Sequence, residues 1–259
     1  LKWGGDFTEG NALQYTWSVF HDPAGLMSLM GGEDAFNANL DNIFDVPPIF
    51  DDSYYGFTIH EIREMQVMNM GNYAHGNQPI QHMLYLYDWG GQPWKAQKRI
   101  REVMDKFYTS APDGYCGDED NGQTSAWYVF SALGFYPVCP ATDQYAIGTP
   151  LFRKVTLNLP SGNRVVIDAK NNGRDNFFIK SMKLNGKTYT KIWIVVTHTP
   201  GRVEIAVEDD GQGIKESVLP VMFEGKISSD EEESDSKRNM GIGLSLAGVV
   251  GNELSAAQV

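Results

Sequence analysis

Two short stretches of the sequence concentrate polar side chains that could do chemistry, and each runs straight into an apolar helical pattern. The first covers residues 72–82 and contains Gln78; the second covers residues 113–123 and contains Asp118 and Asp120. Because a helix fixes the position of its first turn, both stretches are predicted to line a cleft. Asp118 and Asp120 stand two residues apart and repel each other, so one carboxylate could have a raised pKa while the other stays ionised. The alternative is that both only cap the helix that follows.

The N-terminal segment, residues 6–17, alternates aromatic rings with carboxylates and amides, among them Glu9, Asn11 and Gln14. Aromatic ring faces stack on the C–H groups of a sugar, while amides and carboxylates bind its hydroxyl groups. The segment therefore favours a carbohydrate site. The alternative is an ordinary polar loop held by aromatic anchors.

Composition excludes several classes of protein. The chain has 259 residues, 42% of them hydrophobic and 12% aromatic, which is typical of a folded protein with one large or two small domains. A formal net charge of -12 without clustered Lys or Arg argues against a nucleic-acid partner. There is no apolar run of about 18 residues that would predict a membrane span. Cys116 and Cys139 lack a CxxC partner, which argues against structural zinc and leaves a disulfide or two free thiols open.

Both ends of the chain are interpreted as truncations. The sequence begins without Met or a leader pattern and ends within an apolar stretch. Localisation therefore cannot be inferred from a leader.

Apolar periodicity predicts a run of helices joined by polar turns, which suggests helical hairpins packed on one another. The clearest start is Asp22-Pro23, an N-cap followed by proline. A basic face on the helix that begins near Pro93, which includes Arg101, is interpreted as solvated surface. The expected helices cover residues 23–30, 33–44, 60–70, 77–89, 93–107 and 122–133.

After Pro140 the pattern changes to short apolar runs separated by turns rich in Asn and Gly, which predicts strands and hairpins. The expected strands cover residues 155–159, 165–169, 177–179, 182–184 and 203–207. The predicted class is α+β, with a helical part at 1–140 and a small β subdomain at 141–194. A third segment, 195–259, has a net charge of -7, against -5 for the first 194 residues, and contains an acidic loop.

Residues 6–17, 73–87, 90–94 and 112–138 resemble, in that order, the C-terminal half of glycoside hydrolase family 92, the calcium-dependent exo-acting α-mannosidases. The most specific part is the run Gly-Asp-Glu-Asp-Asn-Gly-Gln-Thr-Ser-Ala-Trp that begins at Gly117. The resemblance implies the later helices of an (α/α)6 toroid followed by trailing strands. It also implies that the family's N-terminal β-sandwich and first toroid helices lie outside this chain.

The resemblance implies an inverting mechanism, in which a base carboxylate activates water and an acid protonates the leaving oxygen. Asp118 and Asp120 occupy the positions of the family's base carboxylates. Calcium is the implied cofactor, and its ligands stay unassigned because hard oxygen ligands include backbone carbonyls. For His75 and His82 a purely structural role is an equal alternative. The implied contacts to a mannose-containing glycan are Glu9, Asn11, Gln14, His75, His82 and Gln123.

Gln78 departs from the family, whose members mostly have Glu here as the catalytic acid. Glutamine keeps the shape of the side chain but has no proton to donate, and a general acid contributes about 10² to 10⁴ in rate. Either the activity is lost, or the leaving group needs no proton. A phosphate is such a leaving group because it departs as a stabilised anion, so the hypothesis is cleavage of a mannosyl-phosphate linkage.

Residues 200–250 resemble the ATP-binding domain of sensor histidine kinases. The resemblance assigns adenine and phosphate contacts to two Gly-rich boxes. The residues implied are Asp210, Gly211, Gly213, Gly241 and Gly243. The family's upstream helix with its Mg²⁺-binding Asn and its phospho-acceptor His domain do not precede this segment, so weak ATP binding is expected.

The two resemblances imply different compartments. The glycosidase would be secreted, periplasmic or on the cell surface, whereas the kinase-like part would be cytoplasmic. The chain is therefore interpreted as a fusion of two fragments joined near residues 192–196, with a glycosidase fragment as the main function. A nucleotide-binding signalling module and an inactive fusion are the alternatives.

Overall fold

The computed structural model describes residues 1–140, 142–195 and 202–208. The chain forms two compact units. One consists of Leu1–Gly91 with Arg99–Tyr128, and the other of Gln92–Lys98 with the residues from Val129 onward. The first unit is mainly helical and contains both polar turns, whereas the second contains the strands.

Four α-helices come first in the chain, and their starts follow the sequence signals. Asp22 Oδ1 accepts a hydrogen bond from the Gly25 amide at 2.9 Å, which confirms the predicted cap. The predicted start at Glu33 is also confirmed. Met65 and Met68 are buried, so the methionines of the fourth helix are core packing. The helices are α1 (Ala12–Tyr15), α2 (Pro23–Leu29), α3 (Glu33–Asp45) and α4 (His60–Met68).

The segment after the first polar turn is a 3₁₀ helix, Gln78–Asp88. The sequence predicts a helix here, and the tighter winding shows in the Ile80 amide, which donates to the Asn77 carbonyl at 3.3 Å. Every residue from Ile80 to Asp88 is buried. With no exposed face, packing rather than local preference decides the winding.

Two longer helices follow, α5 (Pro93–Phe107) and α6 (Gln123–Leu133). The apolar positions expected to face inward on α5 are buried, and they are Ile100, Val103, Met104 and Phe107. Arg101 was predicted on the solvated face, but only 6% of it is exposed. Asp105 and Tyr128 lie close enough to interact with its charge, so this cation is accommodated inside the first unit.

The second unit contains two sheets, of which the first is antiparallel and the second mixed. The first has the order β1-β2-β7 and the second the order β3-β4-β8-β5-β6. The first four strands are β1 (Phe135–Tyr136), β2 (Gln144–Ile147), β3 (Lys154–Asn158) and β4 (Arg164–Ala169). The others are β5 (Ser181–Leu184), β6 (Lys187–Tyr189), β7 (Trp193–Val195) and β8 (Arg202–Glu208).

The hairpin between β5 and β6 turns at Asn185-Gly186, where φ is 50° and 79°. Two consecutive residues with positive φ are typical of the type I′ turn that this dipeptide predicts. The strand predicted at 177–179 is wrong. There the Ile179 amide donates to Gln97 Oε1 at 3.0 Å, so a side chain takes the place of a neighbouring strand.

Strand β8 lies in the middle of the five-stranded sheet. It runs parallel to β4, with Arg164 opposite Arg202, and antiparallel to β5, with Ser181 opposite Glu208. The predicted boundary near residue 195 thus precedes a strand of this sheet, and the boundary itself stays a prediction. The mixed helix and sheet class is confirmed, and the toroid remains an expectation. None of the helices in the described ranges is long and apolar enough to cross a membrane.

Candidate active site

Gln78 joins the two polar turns. Its Nε2 donates to the backbone carbonyl of Asp118 at 2.9 Å and lies 3.3 Å from Thr124 Oγ1. The side chain is half-buried. The residue at the predicted acid position therefore contacts the turn that carries the predicted base carboxylates.

Thr124 is the centre of the contact between the turns. Its side chain is buried, and its Oγ1 lies 3.2 Å from both the Asp118 carbonyl and Gln81 Nε2. Gln81 is also buried, and its Nε2 donates to the His75 carbonyl at 3.1 Å. These hydrogen bonds hold the first residues of the 3₁₀ helix against the first residues of α6.

The helix that follows the second turn is capped by the residue between Asp118 and Asp120, and not by either of these two side chains. Glu119 accepts hydrogen bonds from the Gly122 amide at 2.8 Å and from the Ser125 amide and hydroxyl at 3.2 and 2.5 Å. Burial alone would raise the pKa of Glu119, but these hydrogen bonds lower it below its ordinary value. Glu119 therefore caps α6 and stabilises its N-terminus.

The carboxylates of Asp118 and Asp120 are left exposed on either side of Glu119. Neither forms a hydrogen bond or ion pair with a residue of the described ranges. The backbone is left-handed at Asp120, Asn121 and Gly122, with φ of 53°, 55° and 99°. Positive φ is uncommon for residues other than glycine, although Asp and Asn tolerate this region better than other side chains.

His75 belongs to the first turn and is completely buried. Its Nδ1 lies 2.7 Å from the Tyr73 hydroxyl and its Nε2 lies 2.7 Å from the Tyr108 hydroxyl. Burial lowers the pKa of His75 to about 3, so the ring is neutral. Its ring also packs edge-on against Trp127 at 4.3 Å between centroids. With both nitrogens occupied, the geometry favours a supporting role, and the predicted substrate contact remains a prediction.

His82 is in a similar position. It is 7% exposed, and its Nε2 lies 2.8 Å from the Trp17 carbonyl. Burial lowers the pKa of His82 as well. Gln123, at the start of α6, is exposed beside the Asp120 turn, and its Nε2 lies 3.5 Å from Gln81 Oε1. Of these two predicted contacts, Gln123 is the one whose side chain reaches the surface.

The N-terminal candidates divide into two buried amides and one exposed carboxylate. Asn11 and Gln14 form a reciprocal capping box at α1. Gln14 Nε2 donates to the Asn72 carbonyl at 3.0 Å. Glu9 is exposed and left-handed, with φ of 50°, and its carbonyl accepts a hydrogen bond from Asn77 Nδ2 at 2.7 Å. The structure therefore places all three beside the first turn, with only the Glu9 side chain exposed.

The described side chains do not by themselves form a calcium site. Within the described ranges no group of three or more His, Cys, Asp or Glu residues is arranged to hold a metal. Asp118 and Asp120 offer oxygen ligands of the right kind, but too few for a cation that takes six to eight. No catalytic step is assigned to a metal here.

Sequence reasoning missed Glu119, Thr124 and Gln81. Glu119 lies three residues before Gly122 and six before Ser125, a spacing that could have identified it as the cap. Thr124 and Gln81 carry no such local signal, because the contacts by which they join the two turns link residues more than 40 positions apart in the chain.

Comparison with known proteins assigns most of the chain to one family. Residues 1–208 match the family described as the glycosyl hydrolase family 92 catalytic domain. A family 92 inverting mannosidase from Bacteroides thetaiotaomicron has a similar structure, with 54% identity and a TM-score of 0.68 over 82% of this chain and 29% of that one. An α-mannosidase of the same organism, solved with mannoimidazole, has 35% identity and a TM-score of 0.70 over 81% of this chain and 26% of that one.

A curated relative, an uncharacterized secreted glycosidase from Arthroderma benhamiae, is 27% identical over 189 residues. That alignment covers 72% of this chain and 21% of the relative. This chain thus spans between a fifth and a third of the length of the proteins it matches.

A second match covers residues 164–256, to the histidine kinase-, DNA gyrase B- and HSP90-like ATPases. It agrees with the predicted resemblance and overlaps the first match at residues 164–208. The predicted nucleotide contacts Asp210, Gly211, Gly213, Gly241 and Gly243 lie outside the described residues. Because the first match covers most of the chain and includes both polar turns, the chain belongs to glycosyl hydrolase family 92.

Proposed function

We propose that the complete protein carrying this chain is an inverting exo-α-mannosidase that hydrolyses mannosyl-phosphate linkages. The observation that carries the proposal is Gln78, which stands at the acid position and contacts the turn with the base carboxylates. The similarity to an inverting mannosidase supports the reaction class. It supports neither the leaving group nor a requirement for calcium, which both remain proposals.

In the proposed reaction, the exposed carboxylate of Asp118 or Asp120 takes a proton from a water molecule. The water oxygen forms a bond to the anomeric carbon from the side opposite the leaving group, which inverts the configuration. The bond between that carbon and the phosphate oxygen breaks, and its electron pair leaves with the phosphate. Since the phosphate departs as an anion, no acid has to protonate it.

The immediate surroundings of Gln78 are consistent with a missing acid. The Asp118 carbonyl, 2.9 Å from Gln78 Nε2, needs a hydrogen-bond donor, which an amide always supplies and a carboxylate cannot. A glutamate at this position would have to be protonated to make the same contact. These surroundings therefore suit a neutral amide, and they would suit an acid only in its protonated form.

The proposed binding side chains are those that reach the surface around the turns. Glu9 and Gln123 are exposed and lie beside the first and second turns, respectively. We assign Asn11, Gln14, His75 and His82 to positioning of the turns, because each is buried and hydrogen-bonded. By analogy with the secreted relative, the complete protein is proposed to act outside the cytoplasm.

The test is hydrolysis of an α-mannosyl phosphodiester by the complete protein, followed by proton NMR of the first product. β-Mannose should appear first, and Asp118→Asn or Asp120→Asn should reduce kcat by at least about 10²-fold for the residue that serves as base. Asp113→Asn, an exposed acid earlier in the same turn, is the matched control and should retain activity. Release of α-mannose first, or activity that survives both substitutions, would refute the mechanism.

A second candidate function is nucleotide binding by the segment from about 195 to 259, which the ATPase match favours. The proposed domain division places this segment after the helical part at 1–140 and the β subdomain at 141–194. Because the proposed segment contains only part of that fold, we expect a weak or inactive site. Binding of an ATP analogue that is abolished by Asp210→Asn would support this function.

A further inference from the structure

One buried carboxylate oxygen next to the catalytic turns has no role in the proposed reaction. Glu64 lies on α4, and its side chain is 22% exposed. Its Oε1 lies 3.0 Å from His60 Nδ1, one helical turn earlier. Its Oε2 is buried and has no hydrogen-bond partner in the described ranges. Such an orphaned oxygen is costly, so something else must account for its position.

The Oε2 atom faces a pair of glycines, one from each catalytic turn. A Cβ at Gly76 would lie 2.8 Å from Oε2, and a Cβ at Gly117 would lie 2.7 Å from it. Only the Cα–H groups of glycine can face the oxygen at this distance, and such groups make weak hydrogen bonds to oxygen. A Cβ at Gly117 would also lie 2.8 Å from the Gly76 Cα, so the two turns touch here.

These glycines are adjacent to the catalytic positions. Gly117 directly precedes Asp118, and Gly76 is two residues before Gln78. The Gln78 amide links the same two turns through the Asp118 carbonyl. The glycine pair that faces Glu64 is therefore a further contact between the two turns, besides those made by Gln78 and Gln81.

The charges around Glu64 come from two elements. His60 and Glu61 share its helix, and His60 Nε2 lies 3.1 Å from Glu61 Oε1. Asp118 and Cys116 face it from the second turn. Burial raises the pKa of Glu64, against the hydrogen bond from His60, and the charges of Glu61 and Asp118 raise it further. The hydrogen bond to Glu64 raises the pKa of His60, which is 58% exposed at its side chain.

We propose that Glu64, paired with His60, is a positioning residue of the active site that holds the turn of Asp118 against the turn of Gln78. The inference rests on the proposed function, in which Asp118 is a candidate for the base. Glu64 touches neither substrate nor water in the reaction. Glu64 acts by fixing the position of the Asp118 backbone and by placing a charge beside the Asp118 carboxylate.

The contact is tested on the chain as it exists by NMR. In Glu64→Gln, which keeps the shape and removes the charge, the amide signals of Gly76 and Gly117 should move. In Glu61→Gln, the matched control on the same helix with the same histidine partner, they should not. Equal shifts in both variants, or none in Glu64→Gln, would overturn the proposal.

The charge coupling is tested by titrating the side-chain carboxyl carbon of Glu64. Asp118→Asn should lower the midpoint of Glu64, since a nearby negative charge is removed. Asp113→Asn should leave the midpoint in place. If the Glu64 midpoint is the same in the wild type and in Asp118→Asn, the two carboxylates are not neighbours and the proposal is wrong.

Activity of the complete protein separates this inference from the proposed function. Glu64→Gln should lower kcat about tenfold with KM changed less than about twofold, because misplacement of a base affects the reaction more than binding. If Asp118→Asn abolishes activity and Glu64→Gln has no effect, the inference fails alone. If the NMR contacts hold but neither substitution affects turnover, the proposed role of Asp118 fails instead.

Discussion

At the scale of single residues, three adjacent acids in one turn have different tasks. Glu119 is bonded to the start of α6, whereas Asp118 and Asp120 remain exposed. The sequence predicted that carboxylates here either cap the helix or react, and it could not divide the two tasks. The backbone is left-handed at Asp120 and Asn121, and Gln78, 40 residues away in the chain, donates to the Asp118 carbonyl. Sequence spacing reports neither feature.

Glu119→Gln is expected to destabilise the protein by about 1 kcal/mol at pH 7, because the charged cap of α6 is lost. The folded pKa of Glu119 lies below its ordinary value, so its contribution is present above pH 4.5 and is lost as pH falls through the folded pKa. Urea unfolding at pH 7 and at pH 3 should show the difference between variant and wild type shrinking in acid. Asp120→Asn is the control, and an equal loss there would contradict the assignment of the cap.

The lowered pKa of buried His75 predicts that the free energy of unfolding depends on pH. Its folded pKa of about 3 lies below the ordinary value of 6.5, so the unfolded chain binds the proton more readily. Stability from this site is complete above pH 6.5 and falls as pH drops toward 3. At pH 5 the loss should be about 2 kcal/mol by linkage.

The measurement for His75 is urea unfolding at pH 7.5 and pH 5 for the wild type and His75→Gln. The variant should be less stable at pH 7.5 but should show a smaller loss between the two pH values. His21→Gln, which removes an exposed ring, is the control. Parallel pH dependence in wild type and His75→Gln would show that the ring titrates normally.

At the scale of elements, local signals predicted the starts of α2 and α3 and the hairpin at Asn185-Gly186. Each depends on residues that lie next to one another in sequence. The winding of Gln78–Asp88, the burial of Arg101 and the irregular backbone near Ile179 were not predicted. All three depend on tertiary packing, such as the contact of Ile179 with Gln97, 82 residues away in the chain, which periodicity does not report.

Strand β8 is expected to be needed by the second unit. Removing it leaves β4 and β5 with unpaired edges at the centre of the sheet. A chain ending at residue 195 should therefore unfold at least about 5 °C below a chain ending at residue 210, by differential scanning calorimetry. Equal melting temperatures would instead support a domain boundary at 195.

At the scale of the whole molecule, two family matches meet in one chain and overlap at residues 164–208. The overlap includes β4 and β8, which pair in parallel. A strand that alternates apolar residues satisfies the pattern of either family, so the overlap does not require a shared function. The glycosidase assignment depends on the turns at 72–82 and 113–123, which only the first match includes.

The nucleotide site is expected to be too incomplete to bind tightly. Isothermal titration of the whole chain with Mg-ATP should detect no binding stronger than about 1 mM, which corresponds to about 4 kcal/mol. Asp210→Asn should change nothing. Micromolar binding that this substitution removes would show that the ATPase-like segment retains its function.

The central claim is that the leaving group is a phosphate because Gln78 replaces the acid. The direct measurement compares hydrolysis of a mannosyl phosphodiester and of an α-linked mannobiose by the complete protein, as wild type and as Gln78→Glu. The wild type should cleave the phosphodiester and leave mannobiose nearly intact. Gln78→Glu should raise the rate on mannobiose by about 10²-fold or more, because its protonated form supplies the acid. It should lower the rate on the phosphodiester, because its ionised form repels phosphate. Mannobiose cleaved no better and phosphodiester no worse by the variant would contradict the account.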